Sequence, residues 1–214
     1  MVAVKKDIIN DYTAVIAEAG LSAMVVDVDS FAAENLFEVC YPENIDKPIV
    51  LIDIGAGIMN INILKNGVSA FTRDITMGGS TFTEEIQKEL GLSYEEAEIL
   101  KLGGASEQAS TDEVSTILSG VTDNVVLEIQ RSLDFYSATT AEEEFQGVYL
   151  AGGGCMVPGL AMAVEERLGI PTQILHAFKG LGVSPKDFDP DYLEAMGPVA
   201  AVAAGLALRR TDER

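Results

Sequence analysis

The sequence predicts an α/β fold in which a mixed β-sheet, including a β-meander, is flanked by helices. Three short runs of strand-forming residues, at 49–52, 61–64 and 68–72, follow one another across tight turns. Apolar residues at helical spacing occur on both sides of this stretch. Two glycine turns, at residues 53–57 and 151–154, each follow an apolar run and are the features most typical of a ligand site.

Length and charge limit the classes of protein that fit this pattern. The 214 residues suffice for one large domain or two small ones. The 34 acidic and 14 basic residues give a net charge of -20, which argues against binding to nucleic acid or an anionic membrane surface. No apolar stretch approaches the roughly 20 residues that cross a bilayer, so we expect no direct membrane insertion. Cys40 and Cys155 lack zinc or disulfide spacing and favour a reducing, cytoplasmic setting.

The first 48 residues contain two helix patterns separated by an apolar run. Periodic apolar residues predict a helix over residues 8–19. We expect a short buried strand over residues 23–28, and then a helix capped by Asp29 or Ser30. A loop over residues 42–48 should lead into the sheet.

The meander carries the first glycine turn between two of its strands. Its other turn, Asn66-Gly67, is a strong hairpin signal because a type I′ turn requires positive φ at both central residues. The sequence Asp53-Ile54-Gly55-Ala56-Gly57 forms the first turn. In P-loop and dinucleotide-binding proteins such glycines open a helix instead. The pattern therefore indicates a phosphate-binding loop carried on a β-hairpin.

The second glycine turn lies among helices and short strands. The expected elements are, in order, a helix over residues 80–90, a helix over 93–101 opened by a Ser-x-x-Glu capping box, a loop over 102–112, a long helix over 113–137, a strand over 147–151, a helix over 158–168, a strand over 172–175 and a small-residue helix over 197–208. The second glycine turn thus joins a strand to a helix.

The residue types in the first turn suit a phosphate. Gly55 and Gly57 lack a Cβ, so the backbone around Ala56 can approach an anion and point its N–H groups at it. Asp53, at the end of the preceding strand, can hold Mg²⁺ or its water ligands beside the phosphates. The alternative is an ordinary hairpin turn whose aspartate only caps the loop.

The second turn suits a flat ligand. Gly152, Gly153 and Gly154 would let an adenine or ribose lie against the chain, with Met156 as a polarizable apolar contact. The alternative is a tight strand-to-helix crossing. Neither turn continues into Lys-Ser/Thr or completes GxGxxG, and the single histidine, His176, has no neighbouring nucleophile with which to form a triad.

The order of these pieces resembles the actin-like ATPase superfamily. Within it, residues 72–101, 128–136 and 148–160 closely resemble the PilM family of type IV pilus assembly proteins, a relative of the cell-division protein FtsA. The similarity extends from about Val2 to Arg209. It implies an actin-like, ribonuclease H-like lobe.

The resemblance also implies roles for individual residues. It identifies the second phosphate motif with Asp53, Gly55, Ala56 and Gly57, and the adenosine motif with Gly152, Gly153 and Gly154. Asp53 would be both the catalytic residue and the metal ligand. Glu98 and Lys101, one helical turn apart, lie where the superfamily often contacts the sugar or base. Asp27 and Asp29 are weaker candidate ligands.

The same resemblance implies that the chain would be an N-terminally truncated member. Residues 1–47 would be a remnant of the first lobe and its inserted subdomain, with a connecting strand and helix. Residues 48–196 would form the second lobe, with a helical subdomain near 80–112, and residues 197–214 a C-terminal connecting helix and tail. We expect the first phosphate motif and most of the first lobe to be missing from this chain.

The implied function is that of a cytoplasmic scaffold at the inner-membrane platform of the type IV pilus. Such a protein binds ATP with Mg²⁺ and the cytoplasmic tail of a PilN-like membrane protein, and it is peripheral to the membrane through its partners. We expect weak or no ATPase activity from this chain. The alternatives are a phosphotransferase of the sugar or acetate kinase type and an FtsA-like cell-division filament protein.

Overall fold

The computed structural model describes residues 3–41, 47–106, 108–140, 144–184 and 186–209. The centre of the fold is one five-stranded sheet in the order β3-β2-β1-β4-β5. Its strands are β1 (Ile49–Ile54), β2 (Met59–Lys65), β3 (Val68–Ile75), β4 (Gly147–Ala151) and β5 (Thr172–Ile174). β1, β2 and β3 pair antiparallel, whereas β4 runs parallel to both β1 and β5. The predicted mixed sheet with a meander is confirmed.

Both faces of the sheet are covered by helices. In chain order, the α-helices of the described residues are α1 (Lys6–Glu18), α2 (Asp29–Cys40), α3 (Gly79–Leu90), α4 (Tyr94–Lys101), α5 (Thr111–Thr140), α6 (Leu160–Leu168), α7 (Pro190–Met196) and α8 (Ala201–Leu208). Alternate residues of β1 serve two cores: Val50 and Ile52 pack with the α3 to α6 side, and Ile49 and Leu51 with the α2 and α8 side. Burial on both faces explains why β1 is a continuous apolar run rather than an alternating one.

Local signals fix several of the element ends. Asn66 (φ 55°) and Gly67 (φ 75°) both adopt the left-handed conformation that a type I′ hairpin requires. Gly91 ends α3 in the same conformation. The Ser93 hydroxyl caps the amide of Glu96 at the start of α4, and the Glu96 carboxylate accepts from the Ser93 amide in return. These helix and hairpin predictions are confirmed.

The expected strand over residues 23–28 is wrong. The segment pairs with none of the five strands, and Met24 and Val26 are 73% and 61% exposed. An apolar run becomes a strand only when a neighbouring strand accepts its hydrogen bonds. The preceding helix α1 forms as expected but has no buried residue. The predicted loop over residues 42–48 falls mostly outside the described residues.

The C-terminal helix differs from the prediction in its start. The expected helix over residues 197–208 begins only at Ala201, and the short helix α7 precedes it.

Among the described residues no single helix is long and apolar enough to cross a bilayer, although α7 and α8, bent by 98° to each other, pass that test as a pair by length and composition.

The helices α2 and α8 cross in direct backbone contact. A Cβ built on Gly205 of α8 would lie 1.9 Å from the carbonyl oxygen of Ala32 in α2. Only glycine permits this close approach, because it has no Cβ that would collide with the carbonyl group of Ala32. The crossing holds both helices on one face of the sheet.

Candidate functional site

The two glycine turns meet at one edge of the sheet. β1 and β4 are parallel neighbours, with Asp53 opposite Ala151, so both turns emerge from the carboxyl ends of adjacent strands. In open α/β sheets this is the edge at which ligands bind. A Cβ on Gly152, whose φ is 82°, would lie 2.3 Å from Asp53 Oδ1. The second turn therefore needs glycine in order to pass the aspartate of the first.

The first turn is braced against helix α3. The Gly55 amide donates to the Ile58 carbonyl at 2.9 Å, which closes the hairpin. The carbonyls of Gly55 and Ala56 accept from the amides of Gly79 and Ser80 at 2.9 and 2.8 Å. Ala56 and Gly57 are exposed, and within the described part of the chain their own amides have no acceptor. These two N–H groups are free to receive an anion.

An acidic cleft lies beside the first turn. It measures about 460 Å³ and is lined by the turn together with Asp29, Asp53, Asn60 and Asp74. Burial, reinforced by the negative charge of Asp29, raises the pKa of the Asp53 carboxyl. Asn60 Nδ2 donates to Asp74 Oδ1 at 2.5 Å. A cation in this cleft would relieve the repulsion between Asp29 and Asp53.

Metal binding by protein groups alone is not supported. Across the described ranges, no group of three histidine, cysteine or acidic side chains is arranged to hold a metal ion. Mg²⁺ is compatible with such a site, because it usually takes one or two carboxylates and completes its shell with water and substrate phosphates. Asp53, partly buried at the end of β1, can supply one of these carboxylates.

Glu98 and Lys101 form a partly buried ion pair beside the second turn. Lys101 is only 7% exposed, and its Nζ lies 2.5 Å from Glu98 Oε1. Thr83 Oγ1 accepts from Lys101 Nζ at 3.1 Å and itself donates to Glu98. Burial raises the pKa of Glu98, but hydrogen bonds from Lys101 and Thr83 and the Lys101 charge outweigh it, so the pKa lies below the ordinary value.

The Glu98–Lys101 ion pair is connected to the glycine turns by contacts with the start of helix α3. Lys101 Nζ also donates to the Gly79 carbonyl at 3.4 Å. A Cβ on Gly79 would lie 3.6 Å from both Lys101 Nζ and the Gly154 Cα. Met156 is 39% exposed at the end of a short 3₁₀ helix, Gly153–Met156. This short helix precedes the expected α-helix, which forms as α6. The predicted site residues are therefore gathered at one edge of the sheet.

Sequence reasoning missed several residues of this region. Asp29 was expected as a helix cap and a weak ligand, but Val28 occupies the cap position of α2 and no side chain caps that helix. Asp29 instead lines the cleft together with Asp53. Thr83 joins the Glu98–Lys101 pair, and no local pattern marks it. A Cβ on Gly78 would lie 2.4 Å from the Gly55 carbonyl oxygen, although these residues are distant in sequence. Only the three-dimensional contact reveals these roles.

Comparison with known proteins agrees with this architecture. The family model described as type IV pilus assembly protein PilM matches residues 1–211. Cell division protein FtsA of Bacillus subtilis (strain 168) is 29% identical over 168 residues, which cover 70% of this chain and 37% of FtsA.

Solved structures share the fold. The PilM-PilN type IV pilus biogenesis complex matches with a TM-score of 0.84 and 29% identity, over 96% of this chain and 58% of that one. MreB 5 of Spiroplasma citri bound to AMPPNP matches with a TM-score of 0.65 and 15% identity, over 96% of this chain and 65% of that one. Ethanolamine utilization protein EutJ from Carboxydothermus hydrogenoformans matches with a TM-score of 0.64 and 19% identity, over 91% of this chain and 58% of that one.

These matches fix the fold and the family, and they also show the extent of the similarity. The chain spans 58% of the matched chain of the PilM-PilN complex and 37% of FtsA. Its sheet and flanking helices are those of the actin-like ATPase fold. With a family model matched over nearly its whole length, this chain belongs to the type IV pilus assembly protein PilM family.

Proposed function

We propose that this chain supplies half of an ATP clamp in a scaffold protein of the type IV pilus assembly platform. The observation that carries the proposal is the meeting of the two glycine turns, where Gly152 passes within van der Waals reach of Asp53. A pair of turns this close can contact the phosphates and the nucleoside of one nucleotide. The likeness of the fold to MreB bound to AMPPNP and to ADP supports the choice of ligand.

Each predicted residue has a role in this proposal. The exposed amides of Ala56 and Gly57, next to Gly55, hold phosphate oxygens. Asp53 holds Mg²⁺ directly or through water, and the ion offsets the negative charges of the cleft and of the phosphates. The glycines 152–154 and Met156 lie against the adenosine. Glu98 faces the sugar, while Lys101 holds the Glu98 carboxylate in place.

The proposed lobe comprises residues 48–196, with helices α3 and α4 as its helical subdomain. Residues 1–47 and 197–214 connect this lobe to the remainder of an actin-like protein. The partner is the cytoplasmic tail of a PilN-like membrane protein, in line with the matched PilM-PilN complex. The protein is then cytoplasmic and peripheral at the inner membrane, and its nucleotide regulates assembly more than it drives turnover.

Titration with a fluorescent ATP analogue and Mg²⁺ tests the nucleotide site. Gly152→Ala should weaken binding at least about tenfold, because its methyl group would collide with Asp53 Oδ1 and require a strained φ. Gly182→Ala is the matched control, since its Cβ would meet no atom within 4 Å. Equal affinity of both variants and the unaltered chain would reject the site. A pull-down with a PilN-like cytoplasmic tail tests the partner separately.

A further inference from the structure

An ion pair joins two segments that are distant in sequence but border the proposed site. Arg209, directly after α8, places its Nε 2.6 Å from Oδ2 of Asp27, two residues before α2. The Asp27 side chain is only 7% exposed. Its other oxygen accepts from the Val28 amide at 2.9 Å. Both carboxylate oxygens thus accept a hydrogen bond, and the bond from Val28 holds the backbone where the chain enters α2.

The Asp27 end of this contact leads into the acidic cleft. Val28 and Asp29, the next two residues, line the cleft together with Asp53 and the first glycine turn. Any shift of the backbone at Asp27 therefore changes the distance between Asp29 and Asp53. This distance determines how much room and how much negative charge a bound phosphate meets.

The Arg209 end leads to the second glycine turn. The Pro198 carbonyl, shortly before α8, accepts from the Gly152 amide at 2.8 Å. From there α8 crosses α2 in backbone contact at Gly205. Helix α8 is thus tied to the second turn at one end and to Asp27 at the other. These contacts connect the second glycine turn, through α8 and Asp27, to the cleft beside the first glycine turn.

We infer that Arg209 and Asp27 act as a positioning pair, which holds the Val28–Asp29 segment beside the first glycine turn and thereby sets the affinity of the site for nucleotide. This inference rests on the proposed function. Neither residue lines the acidic cleft, so both act through the placement of α2. An ion pair with one buried partner suits this role, because its geometry is specific and its loss leaves a buried carboxylate without its cation.

Charge variants separate positioning from simple electrostatics. If the pair acted only through its charge, Arg209→Ala would weaken ATP binding and Asp27→Asn would strengthen it, since the ligand is an anion. If the pair positions α2, both variants weaken binding by about fivefold or more, and the double variant is no worse than either single one. Arg209→Lys, which keeps the cation, should restore most of the affinity.

The experiment measures affinity for a fluorescent ATP analogue with Mg²⁺, together with hydrogen exchange, on the whole chain. Lys88→Ala, which removes an exposed pair with Glu85 and Glu89, is the control and should bind like the unaltered chain. Stronger binding by Asp27→Asn, or unchanged binding by Arg209→Ala, would overturn the inference.

Hydrogen exchange keeps the two proposals distinguishable. In Arg209→Ala, the amides of residues 28–33 should exchange faster, while those of β1 stay protected. If the unaltered chain bound no nucleotide, the proposed function would fail, and exchange would still test the positioning. Unchanged protection at residues 28–33 would then count against the pair as well.

Discussion

Replacing Gly205 by alanine should push α8 away from α2. The new Cβ would lie 1.9 Å from the Ala32 carbonyl oxygen, whereas real Cβ atoms essentially never approach closer than 3.0 Å. The helices must therefore separate locally by about 1.1 Å, the difference between these two distances. No side-chain rotation can relieve the contact, because both groups belong to the backbone or are fixed to it.

The cost follows from two opposing contributions. Overpacking in a close-packed core typically costs about 1–3 kcal/mol, and the rigid backbone contact places this site at the upper end. Alanine is better than glycine in a helix by about 1 kcal/mol. The expected net loss is therefore about 2 kcal/mol in the free energy of unfolding. The displaced α8 should also loosen the buried cluster formed with Leu36 and Phe37.

Urea unfolding followed by circular dichroism measures this loss. Gly120→Ala, in the middle of α5, is the matched control, because a Cβ there meets no neighbour within 4 Å. This control should gain up to about 1 kcal/mol from helix propensity alone. If Gly205→Ala were as stable as the control, the close crossing of α2 and α8 would be refuted.

Three further outcomes can be measured on the same chain. The pKa of Glu98 is lowered in the fold, so its ion pair stabilises the protein above the ordinary value of 4.5, and this contribution is lost as the pH falls through the lower folded value. Glu98→Gln should reduce the pH dependence of the free energy of unfolding between about pH 3 and pH 7, the range in which carboxylates titrate. Burial, with a smaller effect of the Asp53 charge, raises the pKa of Cys155 to about 12. Its thiol should therefore react with Ellman's reagent at least about a hundredfold more slowly in the native than in the unfolded chain. Equal rates would contradict the burial of Cys155. Gly67→Ala, at φ 75°, should cost about 1–2 kcal/mol in urea unfolding, and a neutral result would argue against the type I′ hairpin.

Local chemistry explains the parts of the fold that the sequence predicts well. The turn at Asn66-Gly67, the glycine after α3 and the capping box at Ser93 depend on neighbours within a few residues, and each forms as expected. The positions of the two glycine turns could be predicted equally well, because a run of strand-forming residues precedes each of them. The contact between the two turns was not predictable, since the parallel pairing of β1 and β4 joins segments about a hundred residues apart.

The failures have a common physical cause. Residues 23–28 have the composition of a buried strand, but strand formation depends on a partner that local composition does not encode. Similarly, the helical spacing of Glu98 and Lys101 predicts that they are neighbours, yet the burial of Lys101 depends on Thr83 and α3. The contact between Asp27 and Arg209 spans 182 positions and follows from no pattern in the sequence.

The three consecutive glycines of the second turn are not equivalent, and this has a consequence for sequence variation. A Cβ would lie 2.3 Å from Asp53 Oδ1 at Gly152 and 2.4 Å from Ile54 Cγ2 at Gly154, but it would meet nothing within 4 Å at Gly153. In a library randomised at all three codons and selected for folded protein, the outer positions should return glycine and the middle one should diversify. Sequence logos from such a selection would show two fixed columns separated by a variable one.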